Sequence, residues 1–318
     1  MDKNQKRLVF MGTPDFARII LEHVLNWSGG RVVAVYTQPD RPCGRGQRPK
    51  ASPVKLLALE KGIEVLQPAG FKDPADINTL ESFKPDYMLV AAYGLILPQQ
   101  VLDAARLMPL NVHASLLPRY RGAAPIQRAI MNGEVVTGIS IMRMTRGLDS
   151  GPVILQRAMG IGISDTAGSL HDELARMGGQ MLIEAMEGLE TGNLALMDQN
   201  EPMATYAPKL TKNEGSIDWD QPVKEIHDRI RALFPWPGSY FDWPGPGQKM
   251  IRLQIYPGKI GPEKPEGVLP GTIMKEKDGF LPIACRDGFY LVPRIKPGGG
   301  REMDAKSFEC GFLSKCDG

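Results

Sequence analysis

The chain has 318 residues, of which 42% are hydrophobic and 23% are charged, and this ordinary globular composition excludes a disordered chain. The formal net charge is +2, so the chain as a whole presents no strong field to a polyanion, and any nucleic-acid site must be a local basic cluster. The length is about twice the roughly 150 residues of a typical domain, which predicts two domains.

The cysteines and apolar runs indicate a cytoplasmic protein. Four scattered cysteines form neither a disulfide framework nor a zinc-binding pair. No stretch approaches the roughly 18 apolar residues of a membrane span, and the apolar run from Leu8 to Met11 is too short for a signal peptide. We therefore expect no metal site and no membrane attachment.

Short apolar runs alternate with helix-like periods through the first half of the chain. The predicted strands cover residues 8–11, 32–37, 63–66, 87–92, 110–113, 137–144 and 152–159. Predicted helices lie between several of these strands, and a long one covers 169–189. This alternation predicts a Rossmann-like α/β domain, whose mostly parallel sheet is covered on both faces.

The pattern changes after about residue 190. Between Pro235 and Gly300 lie 11 of the 27 prolines and 12 of the 35 glycines, which divide the chain into short strand-like pieces such as MIRLQIY, GTIM and GFYLV. Short strands between frequent turns predict a compact β-barrel. We therefore expect a first domain at 1–189, a linker at 190–205 and a second domain at 206–318.

The turn after the first strand, MGTPDFA, does not suit a dinucleotide. It has one glycine where the dinucleotide fingerprint needs three, and Pro14 lacks a backbone N–H that could bind phosphate. A nicotinamide-dependent dehydrogenase is therefore not expected.

The turn after the second strand, from Gln38 to Lys55, is long and basic. Such a loop is either a solvated surface or a contact for the phosphates of a structured RNA. The absence of aromatic residues argues against stacking on single-stranded bases. The basic residues of this loop that could contact such an RNA are Arg41, Arg45, Arg48 and Lys50.

The stretch AAYGLILPQQ follows another strand and stays apolar until a proline begins a helix. At the carboxyl edge of a parallel sheet, where ligands bind, such residues would line an apolar slot suited to a flat heteroaromatic ligand. Packing in the core is the alternative. The residues concerned are Tyr93, Gly94, Leu95, Ile96 and Leu97.

The most informative segment is NVHASLLPRYRGAAPI, which begins near the end of a predicted strand. Asn111 and His113 are two residues apart, so their side chains lie on the same side of an extended strand. A carboxamide and an imidazole side by side can donate to one oxygen, and Asp149, in the turn GLDSGP, would orient that imidazole if the fold brings the two together. Such groups suit acyl transfer without a protein nucleophile. A purely structural role is the alternative for each residue taken singly.

These motifs resemble those of the tetrahydrofolate-dependent formyltransferases, and the whole chain is similar to the branch of that family that formylates methionyl-tRNA. The similarity runs in order through MGTPDFA, TQPDRPCGRG, SPVK, AAYGLILP, NVHASLLPRYRGAAPI, GLDSGP, IDW and PWPGSY. It covers most of the chain as far as about Tyr240. Ala114 stands where the family signature commonly has glycine.

The resemblance implies 10-formyltetrahydrofolate as formyl donor and the methionine α-amine of initiator methionyl-tRNA as acceptor. Asn111, His113 and Asp149 fall on the catalytic positions of the family. By the same resemblance, the loop around Arg45 approaches the tRNA acceptor end, and the second domain is an OB-like barrel that binds the acceptor arm. The implied folate site comprises Tyr93, Gly94, Leu95, Ile96, Leu97, Ser115, Leu116, Leu117 and Pro118.

Two alternatives remain at this point. A formyltransferase acting on glycinamide ribonucleotide or an amino-sugar nucleotide would share the same three catalytic positions, although a small acceptor needs no second domain. A non-catalytic RNA-binding protein would not need those three residues. We expect a monomer.

Overall fold

The computed structural model describes residues 5–43 and 48–314, so that Arg45 and Cys316 lie outside the described residues. The chain divides into two units that do not follow a single cut in the sequence. The first unit is Met1–Gly122, Thr137–Met159 and His171–Tyr206, and the second is Ala123–Val136, Gly160–Leu170 and Ala207–Gly318. The domain boundaries at 189 and 206 stay a prediction.

The described residues before 191 form ten strands and six helices. The strands are β1 (Lys6–Gly12), β2 (Gly30–Tyr36), β3 (Arg41–Cys43), β4 (Arg48–Lys50), β5 (Val65–Leu66), β6 (Tyr87–Ala91), β7 (Met108–His113), β8 (Arg121–Gly122), β9 (Val136–Arg143) and β10 (Val153–Gly160). The helices are α1 (Asp15–Leu25), α2 (Pro53–Glu60), α3 (Pro74–Ser82), α4 (Gln99–Asp103), α5 (Pro125–Met131) and α6 (Ala167–Glu190).

Seven of these strands form one sheet in the order β10-β9-β7-β6-β1-β2-β5. Strands β1, β2, β5, β6 and β7 are paired in parallel, and β9 lies antiparallel to β7. The mostly parallel Rossmann-like sheet predicted from the sequence is confirmed. Because its central strands are covered on both faces, they are apolar without interruption, as in the fully buried run Leu8 to Met11.

Helix α2 shows how the sequence sets a helix start. Ser52 lies in extended conformation just before the helix, its side chain accepts a hydrogen bond from the Lys55 N–H at 3.1 Å, and Pro53 takes the first helical position. Serine satisfies a free N–H of the first turn, and proline there loses no hydrogen bond.

The described residues of the second unit include two small antiparallel sheets. Its elements after residue 206 are β12 (Ser239–Pro244), β13 (Met250–Ile255), β14 (Lys259–Glu263), β15 (Leu281–Ala284), β16 (Gly288–Val292), β17 (Arg294–Pro297), β18 (Met303–Asp304), α7 (Val223–Ala232) and α8 (Ala305–Phe308), with β11 (Tyr206–Ala207) before them. One sheet has the order β12-β13-β17-β18 and the other β14-β16-β15. The predicted piece GTIM forms only an isolated bridge, between Ile273 and Ile283.

The core of the second unit combines aromatic with aliphatic side chains. Trp219, Phe241 and Trp243 are buried there with Tyr290 and Phe308. Trp219 meets Phe241 edge to face with the ring centroids 5.2 Å apart, a favoured aromatic geometry. Within the described part of the chain, no helix is both long enough and apolar enough to cross a membrane.

Candidate active site

The strand order of the large sheet reverses between β1 and β6, since the chain proceeds from β1 toward β2 on one side and toward β6 and β7 on the other. Open parallel sheets bind ligands beyond the carboxyl ends of the strands at such a point. Hydrogen bonds join the turns here: Thr13 Oγ1 and Gln38 Nε2 both donate to the Tyr93 carbonyl at 3.0 Å. The two strand ends also approach so closely that a Cβ on Gly12 would lie 2.9 Å from the Ala91 oxygen.

The first predicted folate segment follows β6 at this edge. Gly94 has φ +81°, a left-handed conformation that favours glycine. Tyr93 and Leu97 are buried in the core, and Leu95 packs against the same cluster. Ile96 is 94% exposed. Of the apolar side chains in this segment, therefore, only that of Ile96 is largely free to meet a ligand.

The second predicted folate segment, Ser115 to Pro118, follows the neighbouring strand β7. Ser140 on β9 is fully buried and holds this segment: its Oγ accepts from the Leu117 N–H at 3.0 Å and donates to the Ser115 carbonyl at 2.6 Å. Gln156 Nε2 donates to the Leu117 carbonyl and to Ser140 Oγ, both at 2.8 Å. The Leu117–Pro118 peptide is cis. The segment is thereby fixed by two side chains that lie outside the sequence motifs of the site.

Strand β7 places both predicted donors at the carboxyl end of the sheet. Asn111 and His113 are 8% and 5% exposed. Among residues 5–43 and 48–314, no hydrogen bond to the Asn111 carboxamide is found, and its polar atoms are not among the fully buried ones that lack a partner, so they reach an accessible surface. Its N–H groups are therefore available to an acceptor from outside the chain.

The structure brings His113 and Asp149 together. The Nδ1 atom of His113 lies 3.6 Å from Asp149 Oδ2, and its Nε2 atom is 2.9 Å from the Tyr120 carbonyl. A carbonyl oxygen only accepts, so Nε2 carries a proton and Nδ1 faces the carboxylate. The same Oδ2 atom accepts from the Gly122 N–H at 2.8 Å, which fixes the carboxylate at its position.

Two residues around this pair have unusual backbones. Tyr120 has φ +60° and Asp149 has φ +47°, the left-handed region that residues other than glycine rarely enter. Such conformations cost of the order of 1–3 kcal/mol each and persist only where the surrounding contacts determine them. They occur here at the two residues that contact the His113 ring.

The arrangement suits stabilisation of a developing oxyanion. It combines an unengaged carboxamide with an imidazole that is oriented by a carbonyl and a carboxylate, all near the carboxyl end of the sheet. Fixed donors stabilise transition-state charge because they need no reorganisation, and the free Asn111 carboxamide is such a donor. The His113 ring becomes one only when an oxyanion replaces the Tyr120 carbonyl as the acceptor of Nε2.

The basic loop forms a hairpin of β3 and β4, in which Arg41 and Lys50 are paired in register. Both side chains are exposed, and Arg41 donates to Gln38 Oε1. At its base, Lys55 Nζ donates to Asp40 Oδ2 at 2.7 Å and holds the pKa of that carboxyl below its usual value. The backbone of Arg48 is paired with that of Cys43 in the hairpin. Arg45 lies outside the described residues.

Several residues that hold this site in place belong to no recognisable sequence motif. Ser140 and Gln156 hydrogen-bond to the second folate segment. Gln199 hydrogen-bonds to the Asp149 carbonyl, and Arg121 hydrogen-bonds to Gln199. Their partners are mostly backbone groups far away in the chain, which no short motif encodes. Among the described residues, no cluster of three or more His, Cys, Asp or Glu is placed to hold a metal ion.

Comparison with known proteins identifies the family of this chain. The formyl transferase family model matches residues 6–186, and the model for the formyl transferase C-terminal domain matches residues 209–313. The chain belongs to the formyl transferase family.

Its relatives within that family point to one member. Methionyl-tRNA formyltransferase of Nitratidesulfovibrio vulgaris strain DP4 is 53% identical over 312 residues, covering 98% of this chain and 94% of the relative. Methionyl-tRNA formyltransferase of Marinobacter nauticus is 50% identical over 288 residues, covering 90% of each chain.

Solved structures share the fold at lower identity. An N-formyltransferase from Helicobacter canadensis, in complex with folinic acid and dTDP-3-aminofucose, has a TM-score of 0.64 at 19% identity and covers 94% of this chain and 100% of its own. HypX from Aquifex aeolicus in complex with tetrahydrofolic acid has a TM-score of 0.60 at 16% identity over 96% of this chain, which spans only 47% of that protein.

Proposed function

We propose that the protein transfers the formyl group of 10-formyltetrahydrofolate to the α-amino group of methionine on initiator methionyl-tRNA. The observation that carries this proposal is the 53% identity to a methionyl-tRNA formyltransferase across 98% of the chain, through both family domains. The geometry at the end of β7 supports it, because the site has hydrogen-bond donors for an oxyanion and no nucleophile is required.

The reaction begins when the neutral methionine amine attacks the formyl carbon. A C–N bond forms, negative charge develops on the formyl oxygen, and the bond from that carbon to the folate nitrogen then breaks. Asn111 donates to the oxygen. His113 donates through Nε2, which requires the formyl oxygen to replace the Tyr120 carbonyl as its acceptor. Asp149 stabilises the positive charge of protonated His113 and relays the amine proton through water to the leaving folate nitrogen.

The two segments that follow β6 and β7 are proposed to bind the folate. Exposed Ile96 offers apolar area, and the Gly94 backbone adds polar groups where no side chain intervenes. The segment Ser115–Pro118 lies at the same edge, because its strand is the parallel neighbour of β6. A flat heteroaromatic ring fits such a combination of apolar surface and backbone groups.

Arg41, Arg45, Arg48 and Lys50 are proposed to contact tRNA phosphates. The exposed positions of Arg41 and Lys50 on the hairpin support this role. The proposal extends to a catalytic domain at 1–189, a linker at 190–205 and a tRNA-binding domain at 206–318. It describes a monomeric, cytoplasmic enzyme.

The test is to compare acceptors with one donor, 10-formyltetrahydrofolate. We expect transfer to initiator methionyl-tRNA to exceed transfer to glycinamide ribonucleotide or to an amino-sugar nucleotide by orders of magnitude. Preference for the amino-sugar nucleotide would favour the second candidate, which the likeness to the Helicobacter canadensis fold raises. Binding of tRNA without any transfer would favour a non-catalytic RNA-binding protein.

A further inference from the structure

Gln199 lies in the stretch 190–205, which the sequence marks as a linker, yet its side chain contacts the turn that carries Asp149. Its amide Nε2 donates to the Asp149 carbonyl at 2.8 Å and to the Gly151 carbonyl at 2.7 Å. A carboxamide nitrogen has two protons, so both are used in this turn. The two bonds bracket Ser150 and hold the backbone on either side of it.

Arg121 fixes the orientation of this amide. The Gln199 Oε1 atom accepts from Arg121 Nε at 3.1 Å and from Nη2 at 2.8 Å. Because a guanidinium can only donate and a carbonyl can only accept, the oxygen must face Arg121 and the nitrogen must face the turn. The contacts therefore leave a single orientation for the amide.

Arg121 is in turn held by Glu201. The Arg121 side chain is 2% exposed. It donates from Nη1 at 2.9 Å and from Nη2 at 2.7 Å to the two carboxylate oxygens of Glu201. Paired bonds of this kind specify geometry as well as charge. Arg121, Gln199 and Glu201 thus form one connected group, here called the Arg121 brace.

The Arg121 brace connects the two halves of the catalytic pair. Arg121 lies between Tyr120, whose carbonyl accepts from His113, and Gly122, whose N–H donates to Asp149. The backbone of Asp149, at φ +47°, is in a conformation that only surrounding contacts maintain. Gln199 supplies such a contact, at the Asp149 carbonyl.

We propose that Gln199 is a positioning residue, whose amide holds the Asp149 backbone so that the carboxylate faces His113. The inference rests on the function proposed above. In this proposal the stretch 190–205 connects two domains and also contributes to the reaction. Gln199 itself touches no reacting atom in this account and acts only through Asp149.

The test uses two variants of the full chain. Gln199→Glu keeps the acceptor for Arg121 but removes both donors to the turn, and Gln199→Ala removes all of these bonds. We expect kcat for formyl transfer to methionyl-tRNA to fall about 10- to 100-fold in each variant, because a small misplacement of a catalytic group has effects of this size. KM for both substrates should stay within about twofold. Gln5→Ala, which loses one bond to the Ser28 carbonyl, is the matched control and should leave kcat unchanged.

A double-mutant cycle separates positioning from general damage to the fold. In an Asp149→Asn background, Gln199→Glu should lower kcat less than about twofold further, because its effect passes through the missing carboxylate. An equal fall in both backgrounds, or a kcat of Gln199→Glu within twofold of the parent, would overturn the proposal.

A crystal structure of Gln199→Glu provides a readout that does not depend on the acceptor. We expect Asp149 to leave the positive φ region and to move away from His113, and an unchanged 3.6 Å separation would overturn the positioning role. A parent protein that does not formylate methionyl-tRNA would instead refute the proposed function. The two failures are therefore told apart.

Discussion

His113 Nδ1 lies 3.6 Å from Asp149 Oδ2, with the histidine at the end of β7 and the aspartate in the turn between β9 and β10. The Gly122 N–H donates to that same oxygen, and the Tyr120 carbonyl accepts from the other ring nitrogen. The pair is thus held from both sides by the backbone of one short segment. Changes in this pair should therefore affect chemistry more than folding.

The first prediction concerns His113. Replacing it by alanine removes a donor to the developing oxyanion, and the loss of one such donor typically costs about 2.7–4 kcal/mol of transition-state stabilisation. We expect His113→Ala to lower kcat for formyl transfer to methionyl-tRNA by at least about 100-fold. Steady-state kinetics with saturating donor and acceptor measures this effect.

The matched control is His171→Ala, a half-buried histidine on α6 that pairs with Asp172. It should keep the turnover of the parent. Circular dichroism and thermal unfolding should show that both variants fold. Near-parental turnover in His113→Ala would exclude the proposed role of the imidazole.

The sequence predicted those features of the site that depend on strand geometry. Asn111 and His113 lie near the end of one buried strand, and a spacing of two residues puts them on one face, so their proximity follows from the alternation of side chains alone. The sequence alone leaves open whether Asp149 meets the histidine. A turn between two other strands can reach the histidine only through the sheet order, in which β9 pairs with β7.

The sequence did not predict the contacts that hold these groups in place. Ser140 and Gln156 hydrogen-bond to backbone atoms of the segment Ser115–Pro118. Every residue has a backbone carbonyl, so the sequence does not show which carbonyl a given side chain will contact. Gln199 lies in a polar stretch whose composition is typical of a linker. Only the fold shows that its amide faces the Asp149 turn.

The second prediction concerns Arg45 and tRNA. Neutralising one phosphate releases about one counterion, so losing one contact should reduce the slope of log affinity against log salt by about 1. We expect Arg45→Ala to show this smaller slope and a weaker affinity for methionyl-tRNA. Filter binding or fluorescence anisotropy over a series of salt concentrations measures it.

The control for Arg45 is Arg31→Ala, another arginine-to-alanine change, at an exposed position near the start of β2. Its salt slope should equal that of the parent. The folate affinity of Arg45→Ala should also be unchanged. If the slope of log affinity against log salt falls equally in both arginine variants, the assignment of Arg45 to the RNA contact is wrong. It is also wrong if folate binding weakens in parallel.

The third prediction concerns thiol reactivity. Burial raises the pKa of the Cys285 thiol to about 12, whereas Cys310 is exposed. The thiolate is the reactive form, so Cys285 should resist alkylation in the folded protein at pH 8. Iodoacetamide followed by trypsin and mass spectrometry separates the two, since they fall in peptides 278–286 and 307–315.

We expect Cys310 to be labelled much faster than Cys285 in the native protein, and both to be labelled equally in guanidinium chloride. The denatured sample shows that neither peptide escapes detection. Rapid labelling of Cys285 under native conditions would contradict its burial.

The fourth prediction concerns His227 on α7. Burial lowers the pKa of this histidine below its usual 6.5, although its Nε2 atom is 2.7 Å from the Ile163 carbonyl. Arg231 and Lys224 lower the pKa further and Asp228 opposes them. Below pH 6.5 the unfolded chain therefore binds a proton that the folded chain does not.

The sign of the pH dependence follows from this difference in bound protons. The free energy of unfolding should be fully retained above about pH 6.5 and should fall as the pH drops toward the lowered pKa of the folded state, by at most about 1.4 kcal/mol per pH unit for one group. His227→Gln cannot titrate, so its stability should fall less between pH 6.5 and 5. Urea unfolding followed by tryptophan fluorescence reports mainly on the second unit, which contains Trp219, Trp236 and Trp243.

His171→Gln serves as the control, because His171 belongs to the first unit and is partly exposed. It should show the pH slope of the parent in this fluorescence signal. A His227→Gln slope that matches the parent between pH 5 and 6.5 would mean that this histidine is protonated equally in the folded and unfolded chains. Its burial among charged neighbours would then have no net effect on stability in this range.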